Sequence, residues 1–536
     1  MSEYSIPFGL SNVSDIAISD ISADKTLTIG GTMAQSRWAG VGVFARGKPF
    51  KPLNVNQSNY QALLGAPIKP TAGSSFEPYR HMEEAVQETD GTVVRVVAAD
   101  AKYPVIAFSD GTGAPGGAVA VDYSANLYGV APELASSEFL QIYIDDGDPC
   151  DTITRQISFT KLPSLSDNLE RWKLTLEQTT AAGLTSVLET HTISFAPEGV
   201  DDMGQSCFID TALESRSNYL RSVCDPEVAS KVRFAEIKGL AFKGGTNGSQ
   251  NKISDEQYLK AVAVLNNANV NYTAVLGLGC YSKPAIEQLA EIARDRRIDG
   301  FFDLKPTLTY AEALKEATDS PLLGTRYTSV CHYHFPFSHK DKWTGSRVAV
   351  GLSGVAYAAK AKGIAKVSDV GGWHYSPAGE ERAIINRAAV DQIENSGTPD
   401  YDAMYTARIN KVAVGSSGKM IIDDALTTYS GENYLRFQHV SSVMNAISRY
   451  YFQLSKQLKH QPDGLTDSAL TKGTIKIMDR FVASGALVRP RNPDMDGTKP
   501  YVVKVSQVEI DLWKTEWACC VTGSARRIAG EPSLIK

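Results

Sequence analysis

The chain has 536 residues, more than one hydrophobic core organises, so about two to four domains are expected. Apolar residues make up 43% and charged residues 21%, the balance of a soluble globular protein, which excludes fibrous and disordered classes. A net charge of −6 offers no basic excess for phosphates and argues against nucleic acid or an anionic membrane as the main partner.

Seven cysteines without regular spacing, and no CxxC pair, outline no disulfide framework and fit folding in a reducing compartment. Cys519 and Cys520 sit in an apolar run and read as small buried hydrophobes. The N-terminus has neither a basic n-region nor an apolar h-region, and the longest uncharged apolar stretch, 348–359, is too short and Gly-interrupted to span a bilayer. No membrane insertion is expected, and synthesis in the cytoplasm as a soluble chain is.

The first thirty residues carry a short alternation at Ile16, Ala17, Ile18 and Ser19, strand-like but too poor in apolar surface for a core; they read as an arm. Residues 31–98 predict a βαβ-like opening: a strand over 41–44, a turn at Gly47 and Pro49, a helix over 76–88 and a Val-rich strand over 92–98. Across 99–235 the texture shifts to Gly/Pro-rich turns at 111–117 and short strands at 139–144 and 190–195, an inserted and mostly β domain. From 236 to 398 helix and strand signals alternate. Ser254 with Gln257 forms a capping box before Tyr258, Ala261, Val262 and Leu265; a strand follows at 274–278; Ser282 opens a helix bearing Ile286, Leu289 and Ala293; a strand covers 300–304; and Thr309 with Glu312 caps the next helix. Such alternation implies a parallel, helix-covered sheet.

In 399–500, Phe437, Val440, Met444, Ile447, Tyr451, Leu454 and Leu458 recur at steps of three and four, the mark of one long amphipathic helix. A second helix over 467–484 buries Leu470, Ile477 and Phe481, shows Lys472, Lys476 and Arg480 on its other face, and stops at Gly485. Residues 501–536 turn β. Val503 and Val505 alternate with polar neighbours, Val508, Ile510 and Leu512 continue in the opposite phase after a bulge near Ser506, and 517–521 forms a last strand. The fold class is therefore multidomain α/β and α+β.

The motifs that resemble catalytic sites each have a plainer explanation. Gly277-Leu-Gly279 follows a strand and precedes a helix, but Ser282 stands where a dinucleotide loop needs its third glycine. Gly415-Ser-Ser-Gly418-Lys419 is followed by Met420, and Ala413 stands where a phosphate loop needs glycine. Gly351-Leu-Ser353-Gly354 lacks the spacing of a nucleophile elbow and reads as a packing face. His332 and His334 alternate on one strand with Cys331 and His339 nearby; two such imidazoles can share a metal, yet the aromatic setting of Tyr333, Phe335 and Phe337 favours plain packing. Gly-Gly-Thr-Asn-Gly at 244–248 fits either an anion nest or a loop that needs positive φ. No catalytic residue, cofactor or metal is assigned.

Taken in order, several of these pieces resemble the tail sheath proteins of contractile phages. They are the Gly-rich apolar strand, the Pro-containing segment at 48–53, the helix-like run at 56–63, Val-Val-Arg-Val-Val at 93–97, the 244–248 loop, the Gly372-Trp373-His-Tyr-Ser-Pro377-Ala378-Gly379 turn after a small-residue helix at 348–361, and two long helices followed by strands with Glu516-Trp517. The resemblance covers about two-thirds of the chain; 99–232 stands outside it as a variable outer insertion. It implies an α/β sheath core, an inner C-terminal domain against a tail tube, and terminal arms. The expected partners are further copies of the chain in a helical polymer, the tail tube protein, and the baseplate and tail terminator proteins, within the virion after assembly in host cytoplasm. Strand exchange between subunits would involve Ile16, Ile18, Val503, Val505, Trp517 and Val521. The tube-facing helix would present Lys472, Lys476 and Arg480 to an acidic tube, so that charge reversal there weakens tube-templated assembly, and removal of the chain from Trp517 onwards would leave a folded monomer unable to polymerise. A single chain favours a phage over a two-component secretion sheath. The alternatives are a sheath of a related secretion or toxin-delivery machine, or a cytoplasmic α/β enzyme using the sheet edge near Gly277 and the His332–His334 strand.

Overall fold

A computed structural model describes residues 36–70, 75–110, 119–163 and 169–526, with side chains for all of these but 463–465. Its centre is a seven-stranded sheet. In chain order the strands are β1 (Trp38–Val43), β2 (Pro52–Val55), β3 (Gly91–Val96), β4 (Ala274–Leu276), β5 (Asp299–Asp303), β6 (Val330–Tyr333) and β7 (Ile409–Asn410). Their order across the sheet is β7-β6-β5-β4-β1-β3-β2, parallel throughout except for β2, which runs antiparallel to β3 at the edge. The sheet is buried on both faces, so β1, β3 and β5 are continuous buried runs instead of alternating ones.

Helices cover it as the alternation predicts. They are α1 (Glu77–Val86), α2 (Asp255–Asn267), α3 (Lys283–Asp295), α4 (Tyr310–Thr318) and α5 (Ser353–Ala365). The capping boxes at Ser254/Gln257 and Thr309/Glu312 form, and the Ser282 hydroxyl accepts from the Ala285 amide. The helix expected over 348–361 begins later, at Ser353. The Asp303 carboxylate accepts the Leu352 and Ser353 amides at 2.5 and 3.0 Å, fixing the helix start there, and Gly351 leaves the room it needs, since a Cβ would lie 2.3 Å from Asp303 Cγ.

Residues 102–241 build two antiparallel four-stranded sheets around a separate core that includes Phe108, Phe139, Phe159, Trp172 and Phe234. Beyond the main sheet, α6 (Gln438–Leu458) and α7 (Asp463–Ala483) pack as an antiparallel pair, and the hairpin of β8 (Tyr501–Glu509) and β9 (Leu512–Cys519) lies on them. Gly485, at φ 83°, ends α7 as predicted. The helix α6 differs from the single apolar stripe expected of it. Val440, Val443, Ala446, Ile447 and Tyr450 are buried, but so are Gln438, Ser441, Ser442, Asn445 and Ser448. Ser442 donates its hydroxyl at 2.8 Å to Asp299, which opens β5 inside the protein, whereas the Ser441 and Ser448 hydroxyls are taken up by the Leu435 and Met444 carbonyls.

Candidate assembly surfaces

The last strands of the described chain form the β8–β9 hairpin. Alternation in β8 sets Tyr501 and Val503 partly buried against the helices and Val502 outward. Val503 lies opposite Trp517 and Val505 opposite Thr515, the register shifts between Gln507 and Glu509, and the chain reverses at Ile510 and Asp511. The expectation that Leu512 extends the first strand is thus corrected: the bulge arrives near its predicted place, but the turn follows at once and Leu512 begins the second strand. Trp517 is 5% exposed, with its ring 5.8 Å from that of Tyr451. Val521 bridges to Leu487. The hairpin is a two-stranded sheet joined to no other strand among the described residues, so it presents outer edges and a tip. Ile16 and Ile18 lie outside the described residues.

On α7, Leu470, Ile477 and Phe481 are buried. Lys472 and Lys476 are exposed. Arg480 differs from them: it holds Asp369 through two hydrogen bonds of 2.8 and 2.6 Å, lies over the Tyr450 ring, and by this pairing keeps the Asp369 carboxyl below its ordinary range. Together with Ile475, Asp479 and Ala483 these residues line an open groove. The face is thus of mixed charge, with two exposed lysines and one committed arginine.

The main sheet also shows what an enzyme reading would require. Strand order reverses between β1 and β4, and in open α/β sheets a ligand sits outside the carboxyl ends of the strands at that switch point. Here side chains occupy it. Gly279 follows β4 and a Cβ there would lie 2.6 Å from Glu77 Cβ; the Tyr281 hydroxyl donates to Glu77 at 2.7 Å; His81 Nδ1 and Ser353 Oγ are 3.2 Å apart, both fully buried. The 415–419 loop is a hairpin turn whose Ser416 amide and hydroxyl both donate to Glu380. His332, His334 and His339 are all buried, and His334 Nε2 lies 3.1 Å from the Leu308 carbonyl oxygen. Among the described residues no three His, Cys, Asp or Glu side chains gather as a metal site.

Burial of these imidazoles has a consequence for stability. Loss of solvation lowers His332 and His334 to about 4, and His339 and His439 to about 3. In the unfolded chain each takes up a proton near pH 6.5, so between about pH 6.5 and 4 the unfolded state binds more protons and stability falls as pH falls. Burial raises the Asp299 carboxyl and so works in the opposite direction where that group titrates. We expect the urea midpoint at pH 4.5 to lie clearly below that at pH 7; equal midpoints would show that the rings titrate at their ordinary pKa.

Three structural features escaped sequence reasoning. Arg95, in the middle of the buried Val-Val-Arg-Val-Val strand, is fully buried and donates to the carbonyls of Phe44, Ala45, Gly47 and Gly147 and to the Asn247 side chain. It therefore ties the 244–248 loop and the 145–148 turn of the insertion to the main sheet. Lys360, buried in α5, donates to the Trp373 and Tyr375 carbonyls and fixes the aromatic turn, whose Trp373 packs in the α6–α7 core. Arg526 clasps Asp424 at 2.8–3.0 Å over the Tyr405 ring. A lone charge within an apolar run is the available signal for Arg95; Lys360 has Lys362 two residues on and nothing local sets it apart, and nothing local marks Asp424 as a partner for Arg526.

No protein-family model and no curated protein matches this sequence. Solved structures do match its fold. The sheath tail protein Lin1278 from Listeria innocua superposes with a TM-score of 0.52 at 11% identity, over 92% of this chain and 96% of that one. The sheath tail protein DSY3957 from Desulfitobacterium hafniense gives 0.48 at 12% identity, over 88% and 91%. The helical sheath of the anti-feeding prophage in its contracted state gives 0.48 at 11% identity, over 98% and 99%. The chain has a tail-sheath fold.

Proposed function

We propose that this chain is a structural subunit of a contractile tail sheath, which polymerises helically around a tail tube and shortens to drive the tube through a host envelope. The observation that carries the reading is the tail-sheath fold shared with the Listeria innocua protein over nearly the whole of both chains. The setting is a phage virion, assembled in host cytoplasm, with the tail tube, baseplate and terminator proteins as partners. The role is mechanical, and neither nucleic acid nor membrane insertion enters it. The arm at 1–30 is lent to adjoining copies and the 501–536 strands link to them through the hairpin's outer edges, where a strand added to a sheet edge supplies directional hydrogen bonds. The outer edges of the β8–β9 hairpin, joined to no other strand among the described residues, support this role. Head-to-tail repetition with a rotation that does not close gives a filament instead of a ring. The domain at 99–235 stands outermost and the 399–500 domain innermost; Arg95 supports the outer domain's moving with the sheet as one body.

Electron microscopy of the purified full chain, alone and with added tube protein from the same tail, tests this. Tubes of regular helical repeat are expected. Discrete particles under both conditions, at concentrations where sheath polymers form, would reject the reading.

A further inference from the structure

Two surfaces of the C-terminal unit are complementary and stand apart. The first is the hairpin tip. Ile510 is 89% exposed and Val508 55%, flanked by exposed Glu509 and Asp511. A tight reversal ordinarily takes Gly, Asn or Asp, and nothing in turn chemistry asks for an isoleucine at its apex. The Gln507 side-chain amide donates to the Ile510 carbonyl at 3.0 Å and holds the turn in shape, so the apolar side chain is presented on a fixed support. The second surface is the groove along α7. Ile475, 38% exposed, and Ala483 give it an apolar floor, and Lys472 and Lys476 stand exposed on its rim. Its other charges are already engaged: Asp369 with Arg480, and Asp479 with the Tyr501 hydroxyl at the hairpin base.

That last bond also fixes where the hairpin's own tip can go. Tyr501 lies at the groove, and the tip is eight or nine residues further along an extended strand, roughly 25–30 Å away at about 3.3 Å per residue. A molecule therefore cannot fill its own groove. We propose that the groove on α7 receives the hairpin tip of a second copy of this chain, Ile510 seated against Ile475 and Ala483, with Glu509 and Asp511 meeting Lys472 and Lys476. The tip lies at one end of the hairpin and the groove at its base, so a contact that the second copy does not return leaves a tip and a groove free, and the interface then propagates head-to-tail. The family resemblance assigns the same lysines to an acidic tube; the apolar floor beside them, matched by the most exposed large hydrophobic side chain of the described residues, favours a copy of the chain itself. The inference rests on the sheath reading for its setting but is tested apart from it.

The test mixes two full-length variants, Ile510→Cys and Ile475→Cys, under mild oxidation. A disulfide-linked dimer is expected from the mixture and not from either variant mixed with the parent chain, which carries the same seven cysteines. Reversing both rim lysines to glutamate in the Ile475→Cys chain should lower the yield roughly tenfold, and Glu509→Lys with Asp511→Lys in the other chain should restore it. No dimer above the parent background, or a yield indifferent to the lysine reversal, overturns the proposal and gives the groove to another partner. If the dimer forms while the parent chain yields no tubes, the contact stands and the sheath reading falls; if tubes form without the dimer, the sheath reading stands and the contact falls. Unchanged thermal unfolding of each variant excludes misfolding as the cause of a lost yield.

Discussion

Replacing Arg95 by methionine will destabilise the folded chain by about 3–5 kcal/mol, because it removes an arginine whose fork holds four backbone carbonyls and one side-chain amide inside the protein. Methionine matches the stem in bulk, so the loss comes from carbonyls left without a donor more than from a void. The loss will also be local. Phe44, Ala45 and Gly47 belong to the main sheet and the turn after β1, whereas Gly147 and Asn247 belong to the insertion and to the passage leading back from it. Arg95 is therefore the knot between the two units, reinforced by Arg46 on Asp148 at 2.5 Å and by Lys48 on Asp145. Denaturant unfolding should show the parent melting cooperatively and Arg95→Met separating an early transition of the 102–241 core from the rest. Hydrogen exchange would locate the early loss at 145–148 and 244–248. A single transition with an unmoved midpoint would show that the junction is held by other contacts. In the sheath role proposed above this junction matters: an insertion hinged loosely on the sheet would absorb a rotation that a rigid one passes on.

The sequence is most readable where local chemistry and global fold ask for the same residue. The capping boxes at Ser254 and Thr309, the Gly485 stop and the bulge in β8 each follow from a handful of neighbours, and each is found within a residue or two of its expected place. The parallel sheet is legible for a related reason, since β–α alternation leaves few ways to bury continuous apolar strands. What is not legible depends on residues far apart in the chain. Buried Ser442 on α6 makes sense only beside Asp299, 143 residues earlier, and Arg480 reads as a free basic residue until Asp369 is seen next to it, 111 residues away. The three α7 charges occupy one helical face, as the spacing requires, yet a 3.6-residue period cannot say which of them the rest of the molecule already uses. Likewise, alternation identifies Val503 and Trp517 as strand residues but cannot tell a strand offered to a neighbour from one spent on the chain's own core.

That distinction decides what happens when Trp517 is removed. The sequence pattern alone expects truncation from this residue to leave a folded monomer, but the indole is 5% exposed, stands beside Tyr451, and belongs to the cluster that holds α6 against α7 with Ile447, Tyr450, Ile477 and Phe481. Trp517→Ala should therefore cost about 3–5 kcal/mol, the range for emptying a large aromatic site in a packed core. The chain cut before Trp517 should lose helix pairing as well as any assembly. Assembly must accordingly be tested without touching the core: the Cys520 amide bonds the Pro500 carbonyl opposite it, so Val502, Lys504 and Ser506 face β9 in the ladder, whereas Val505 and Gln507 turn their amides to the outer edge, and prolines at these two remove edge donors and leave the indole in place. If the hairpin's edges knit adjoining copies, these proline variants will keep a thermal midpoint within about 1 °C of the parent, while Trp517→Ala falls by about 3–4 °C for a chain of this size. The proline variants will then fail to form tubes at an almost unchanged thermal midpoint, which Trp517→Ala cannot do. Tubes of normal length from both proline variants would place the linkage between copies elsewhere than at the hairpin edges.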